Sequence, residues 1–158
     1  KRELRIDEDD TGESLSEKLS IAGAELLMET LGLVERGEIS PVKQDESLAT
    51  YAPMLKKEDG RIDWESDAEA IRNLIRGMLP WPGAYTYLDG KMLKIYYAQL
   101  SDASGSPGEV LNSSKSILRV ATGEGSLDIK ELQLEGGKRM DIASFLAGRK
   151  IEPGFKLG

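Results

Sequence analysis

Two prolines in three residues, Pro80-Trp81-Pro82, divide this chain into two textures. No helix arriving from upstream can run through them, because each proline lacks an N–H and restricts the residue before it. Just upstream, Ala68, Ile71, Leu74, Ile75 and Met78 recur at helical spacing, with Ser66 or Asp67 placed to cap the helix. Downstream the period shortens to that of strands. The spacing predicts strands over 84–88 and 91–100, joined by Asp89-Gly90, a two-residue hairpin signal. Leu93, Ile95 and Tyr97 are expected to share one face of the second strand.

Further strands are predicted over 109–111, 117–122 and 126–134, with turns at Pro107-Gly108 and Gly123-Glu124-Gly125. In the last of these, Leu127 and Ile129 are odd-numbered whereas Leu132 and Leu134 are even. The switch implies a bulge or bend near Lys130-Glu131. Met140-Asp141 is read as the start of a short helix through Leu146, ended by Gly148, and Pro153-Gly154 makes a late turn.

The first third reads differently. Leu15, Leu19, Ala22, Leu26 and Leu33 form an apolar stripe on a helix expected over 14–36, opened by a capping box at Ser14-Leu15-Ser16-Glu17. That stripe needs a cover, supplied either by the downstream domain or by a second copy of the chain. Residues 37–60 hold few large apolar side chains and read as an extended linker, and 61–64 as a short strand. The resulting fold class is mainly β with flanking helices: a small closed OB-like barrel preceded by a helical arm and a linker.

Composition narrows the chemistry. With neither cysteine nor histidine, the chain has no disulfide, no thiolate zinc site, no cysteine nucleophile and no Ser-His-Asp triad. A reducing compartment, the cytoplasm, is the simple reading of the missing cysteines. No apolar run is long enough to cross a membrane. Asp7-Glu8-Asp9-Asp10 is no calcium loop, since position twelve counted from Asp7 is Lys18. Gly123-Glu124-Gly125 lacks the Lys-Ser/Thr of a phosphate-binding loop and reads as a hairpin turn. No catalytic or metal-ligating residues are expected. The net charge of −7 lies wholly in residues 1–50, which hold 6 basic against 13 acidic residues, while the remainder is balanced at 15 each. A balanced domain can still present one basic face. The opening Lys1-Arg2-Glu3-Leu4-Arg5-Ile6 has neither an initiating methionine nor an apolar leader, and is read as the start of a fragment of a longer protein.

An ordered set of motifs then becomes specific: Gln44 to Pro53, Lys57-Glu58-Asp59-Gly60-Arg61-Ile62-Asp63-Trp64, Ile75-Arg76-Gly77, Pro80-Trp81-Pro82-Gly83-Ala84-Tyr85-Thr86, Val120-Ala121-Thr122-Gly123-Glu124-Gly125 and Gly136-Gly137-Lys138-Arg139-Met140. Together they resemble the C-terminal half of the methionyl-tRNA formyltransferase family, over essentially the whole chain. One departure is Leu79, where many relatives carry asparagine. The resemblance implies residues 1–36 as the last strand and helix of a catalytic domain, 37–60 as the linker and 61–158 as the barrel. It also implies that the formyl donor, 10-formyltetrahydrofolate, and the catalytic Asn, His and Asp belong to the N-terminal part, leaving this portion inactive and without cofactor.

The partner implied is initiator methionyl-tRNA, held largely through phosphates. The candidate contacts are Lys56, Lys57 and Arg61 at the linker–barrel junction, Arg72 and Arg76 on one helix face, Lys91 and Lys94 beside the hairpin, and Lys138 and Arg139 before the last helix. Arg76 and Lys57 lie inside matched motifs. Lys115, Arg119 and Lys156 are read as plain surface. Trp64 and Trp81 are both expected to be core anchors, with base stacking the alternative for Trp81. Two other readings remain open: a support domain of a formyltransferase with a small-molecule substrate, and a structural module that binds nothing.

Overall fold

The computed structural model describes residues 1–158 and divides into two compact units, Lys1–Leu55 and Lys56–Gly158. The first holds one long helix, α1 (Gly12–Glu35), and a short 3₁₀ turn at Glu46–Leu48. The helix starts earlier than its sequence pattern suggests. Ser14 is not its opening residue but the third of its first turn: Ser14 N–H donates to Thr11 Oγ1 at 3.1 Å, and Thr11 N–H donates to Ser14 Oγ at 3.0 Å. At the other end Gly37 N–H and Glu38 N–H donate back to the carbonyls of Val34 and Leu33, the paired bonds that close a helix terminus. No residue of α1 is buried, and Leu19, Leu27, Met28 and Leu31 are all about half exposed or more.

The start of α1 is tied by Asp10, whose side chain is only 5% exposed. Its carboxylate accepts from the Asp7 amide and the Ser14 hydroxyl, and pairs with Lys18 Nζ at 2.8 Å. Lys18, then the Asp7 amide and the Ser14 hydroxyl, hold the Asp10 carboxyl down at about 2. Because an unperturbed Asp titrates near 3.9, the knot's contribution is complete above about pH 4 and is lost as the pH falls through the folded value. A carbon-detected titration of the Asp10 carboxyl checks this. Its midpoint is expected to rise toward the ordinary value in Lys18→Met.

The second unit is built around one antiparallel sheet. Its strands are β1 (Ala84–Leu88), β2 (Lys91–Ser101), β3 (Val110–Ser114), β4 (Ile117–Ala121), β5 (Ser126–Leu134) and β6 (Met140–Asp141), in the order β1-β2-β5-β4-β3 with β6 added beside β5. The β1–β2 hairpin turns on Asp89 and Gly90, with φ of 51° and 73°, the left-handed pair that a tight hairpin requires. Helix α2 (Ala68–Gly77), capped by Asp67 Oδ1 accepting from Ala70 N–H, buries Ala68, Ile71 and Ile75 on the core. Helix α3 (Ile142–Gly148) adds Ile142 and Phe145. Met140-Asp141 is strand rather than helix, because these residues pair with Glu131 and Leu132 before Asp141 caps α3. Residues 61–64 make only a single parallel bridge, Arg61 to Tyr85, and no strand. Lys57–Gly60 is a 3₁₀ turn of this unit, whereas residues 37–55 are exposed chain with the one short turn.

Two expectations about the sheet need correction. The first concerns the face of Tyr97, since the bend expected near Lys130-Glu131 is present. Ile95 pairs with Leu132 and Ala98 with Ile129, but between them the register slips at Tyr97–Glu131. Both strands therefore change face at the same rung. Tyr97 does not share the face of Leu93 and Ile95: it is 46% exposed, and Ala98 takes the buried place. The second concerns closure. The sheet is open, because β1 and β3 lie at its two ends and do not pair. Residues 154–158 run along the gap. Val110 N–H donates to Phe155 O, Leu157 N–H to Gly108 O and Gly158 N–H to Tyr87 O, so this segment bonds to both edges. Leu157 is buried beneath it at 2% exposure.

Candidate functional site

The outward face of the sheet, opposite the core, gathers the polar and aromatic residues of β1, β2 and β5. Alternation sets Met92, Lys94 and Tyr96 outward while Leu93 and Ile95 are buried. Lys94 lies opposite Tyr85 on one side and Gln133 on the other. Lys57 reaches the same place from the 3₁₀ turn. That turn is fixed by a close backbone approach: Gly60 is buried, and a Cβ there would overlap the Gly83 carbonyl oxygen and touch the Pro82 ring at 3.3 Å. Only glycine fits, and the approach brings the Lys57 turn to the start of β1.

Lys57 and Lys94 together line a groove of about 280 Å³, with Met92, Gln133, Leu134 and Glu135. Glu135 is the one acid in it, and its carboxylate accepts from the Met92 amide at 3.0 Å. Two ammonium groups against one carboxylate leave the groove net positive. Beside it, Gln133 accepts from Tyr96 O–H at 2.7 Å, and the Arg139 guanidinium lies over the Tyr96 ring at 4.3 Å. Arg139 also pairs bidentately with Glu131 at 2.7 and 2.6 Å, so its charge is compensated.

The other candidate cations do not line this groove. Lys56, Arg61, Lys91 and Lys138 are exposed near it in sequence or at the hairpin. Arg72 and Arg76 are half-buried on α2; Arg72 Nε is buried without a partner, and Arg76 Nε donates to Asn73 Oδ1 at 2.8 Å. Arg119, read as plain surface, is spent on Asp128 across β4 and β5 at 2.7 and 3.1 Å. The guanidinium holds the Asp128 carboxyl below the usual carboxylate range.

The two tryptophans part company. Trp64 is a core anchor, 6% exposed, its Nε1–H donating to Thr86 Oγ1 at 3.0 Å. Trp81 is not: it is 58% exposed. Pro82 and Gly83 occupy the buried side of the turn, packed on Gly60, and leave no place there for an indole. Sequence reading also missed Gln133, Glu135 and Tyr96. Tyr96 could have been found as the second neighbour of Lys94. Gln133 could not, because its position depends on the register across the kink.

An open antiparallel sheet with an amphipathic helix on its core side and a cationic groove on its outward side defines the class: a small β domain with flanking helices. The chain belongs to the family of formyl transferase C-terminal domains, whose model matches residues 54–150. It is 54% identical over all 158 residues to a protein named methionyl-tRNA formyltransferase from Citrifermentans bemidjiense, covering 50% of that protein. A protein of the same name from Geotalea uraniireducens is 52% identical, again over the whole chain and 50% of its own length. The chain thus spans about half the length of the curated relatives it matches. Among solved structures, a variant of HypX from Aquifex aeolicus shares the fold over 82% of this chain and 24% of its own, with a TM-score of 0.59 at 27% identity. The family is the one to which the ordered motifs around Pro80-Trp81-Pro82 pointed. No helix here is long and apolar enough to cross a membrane.

Proposed function

We propose that this chain is the C-terminal, tRNA-binding portion of a methionyl-tRNA formyltransferase, a cytoplasmic enzyme of translation initiation. The full protein transfers the formyl group of 10-formyltetrahydrofolate to the methionyl amino group of initiator tRNA. The observation that carries the reading is the identity near 50% across the entire chain to proteins of that name. The donor site and the catalytic Asn, His and Asp lie in the N-terminal part, so this portion is inactive alone. Residues 1–36 belong with that part and residues 37–60 link it to the domain from residue 61, the last turn of the linker, Lys57–Gly60, being packed into the sheet unit. The exposed apolar side of α1 is covered by the catalytic domain in the full protein, and by a second copy when that domain is missing.

The sheet domain contributes affinity rather than chemistry. Lys57 and Lys94 line the groove that receives a phosphodiester backbone in this reading, and each ammonium that meets a phosphate releases a condensed counterion. Lys56, Arg61, Lys91 and Lys138 add further positive charge to this unit, Arg72 and Arg76 add theirs from α2 on the core side of the sheet, and Arg139 is largely neutralised by Glu131. Phosphate contacts of this kind position the tRNA without reading its bases.

Titration of the chain with initiator tRNA at two salt concentrations tests this. Binding is expected to weaken steeply with salt, and Lys57→Ala and Lys94→Ala are each expected to lower the log–log salt slope by about 0.7 to 0.9. Absence of binding at low salt would overturn the claim that this portion carries tRNA affinity by itself.

A further inference from the structure

Trp81 stands out against the rest of the domain. A large aromatic ring at 58% exposure sits between two prolines in a turn whose ends are joined by Gly83 N–H donating to Met78 O at 2.9 Å. Its chain neighbour Pro82 is buried, as is Gly83 beyond it. The backbone under the ring is therefore anchored while the ring itself faces solvent. The anchor is shared with the cationic groove: Gly60, which ends the Lys57 turn, packs on Pro82 and Gly83, and a Cβ on Gly83 would lie 3.9 Å from Lys94 Nζ. An exposed aromatic face on a backbone that also packs against the Lys57 turn and Lys94 has the elements by which proteins take hold of an unpaired nucleotide, phosphate on the cations and base on the ring. The other exposed aromatic of the sheet, Tyr97, is engaged with Gln99 Nε2 at its hydroxyl.

We infer that Trp81 is a stacking platform for an unpaired base of the RNA whose phosphates the Lys57–Lys94 groove holds, an inference that rests on the tRNA reading above. Stacking releases no counterions, so its signature differs from that of the lysines. Trp81→Ala is expected to weaken tRNA binding about tenfold while leaving the salt slope unchanged, and Trp81→Phe to restore most of the loss. Bound tRNA is expected to quench the tryptophan emission of the parent chain and not that of Trp81→Ala, in which only the buried Trp64 remains. An unchanged Tm for Trp81→Ala separates these effects from misfolding, as befits an exposed position. Parent-like affinity in Trp81→Ala would overturn the inference and leave the tRNA reading standing. A loss accompanied by a shallower salt slope would also overturn it, making the ring a prop for Lys94. No binding by the parent chain at low salt would remove both.

Discussion

Gly123→Ala is expected to destabilise the sheet domain by about 3 kcal/mol or more, the sum of a steric clash and broken backbone hydrogen bonds. Gly123 sits where the turn between β4 and β5 meets the segment leading into α2. A Cβ there would overlap the carbonyl oxygen of Glu65, lie 2.7 Å from its carbon, and stand 3.2 Å from the Ser66 oxygen. All of these are backbone atoms, which no side-chain rotation can move aside. The same junction is held by Gly123 N–H donating to Ser66 O and by Ala68 N–H donating to Glu124 O, both at 2.9 Å. Forcing the turn and the segment apart breaks both bonds and lifts the start of α2 from the core, where Ala68 is buried. For a domain of roughly 100 residues the melting temperature is expected to fall by about 12 °C or more in a thermal scan. Gly77→Ala is the control: a Cβ at that helical position meets nothing within 4 Å, so the exchange is expected to be neutral or to stabilise by about 0.5–1 kcal/mol.

The second large effect is expected from Leu157→Ala, at about 2–5 kcal/mol, the range for emptying a buried leucine site. Leu157 is the apolar pin of the segment that spans the open side of the sheet. Val110 N–H and Phe155 O, and Leu157 N–H and Gly108 O, are the bonds it keeps dry. Amide exchange at Val110 is expected to accelerate more than exchange at Ile129, in the middle of the sheet, if the segment loosens first. Equal acceleration at both would show instead that the segment and sheet open only together.

What could be read beforehand is what local chemistry determines. Asp89-Gly90 specifies its hairpin through two left-handed residues, Asp67 caps α2 with its own carboxylate, and the leucines of β5 announce a change of face. The matching change on β2 was hidden because Tyr96, Tyr97 and Ala98 offer no contrast between apolar and polar from which to read a face. The segment across the open side was hidden for another reason: it is held by main-chain bonds, which leave no trace in residue type beyond the buried Leu157. The groove was half legible. Lys94 and its neighbours on one strand face follow from alternation, but the meeting of Lys57 with Lys94 depends on the backbone approach of Gly60 to Gly83. Trp81 was misjudged because a tryptophan flanked by prolines looks like a core anchor until it is known that Pro82 and Gly83 fill the buried side.

The paired irregularity of β2 and β5 bears on how such a domain can change over generations. Each strand holds one residue that the other does not answer, Tyr96 on one side and Lys130 on the other, and the two compensate across a single rung. Losing one residue from either strand alone would straighten that strand, with Ile95 and Ala98 or Leu132 and Ile129 alternating regularly on the core face, and would leave a single bulge on the other. Losing one from each would leave a straight ladder. Either strand can therefore shed its extra residue without turning its apolar side chains to water, so a lineage could straighten this place one strand at a time.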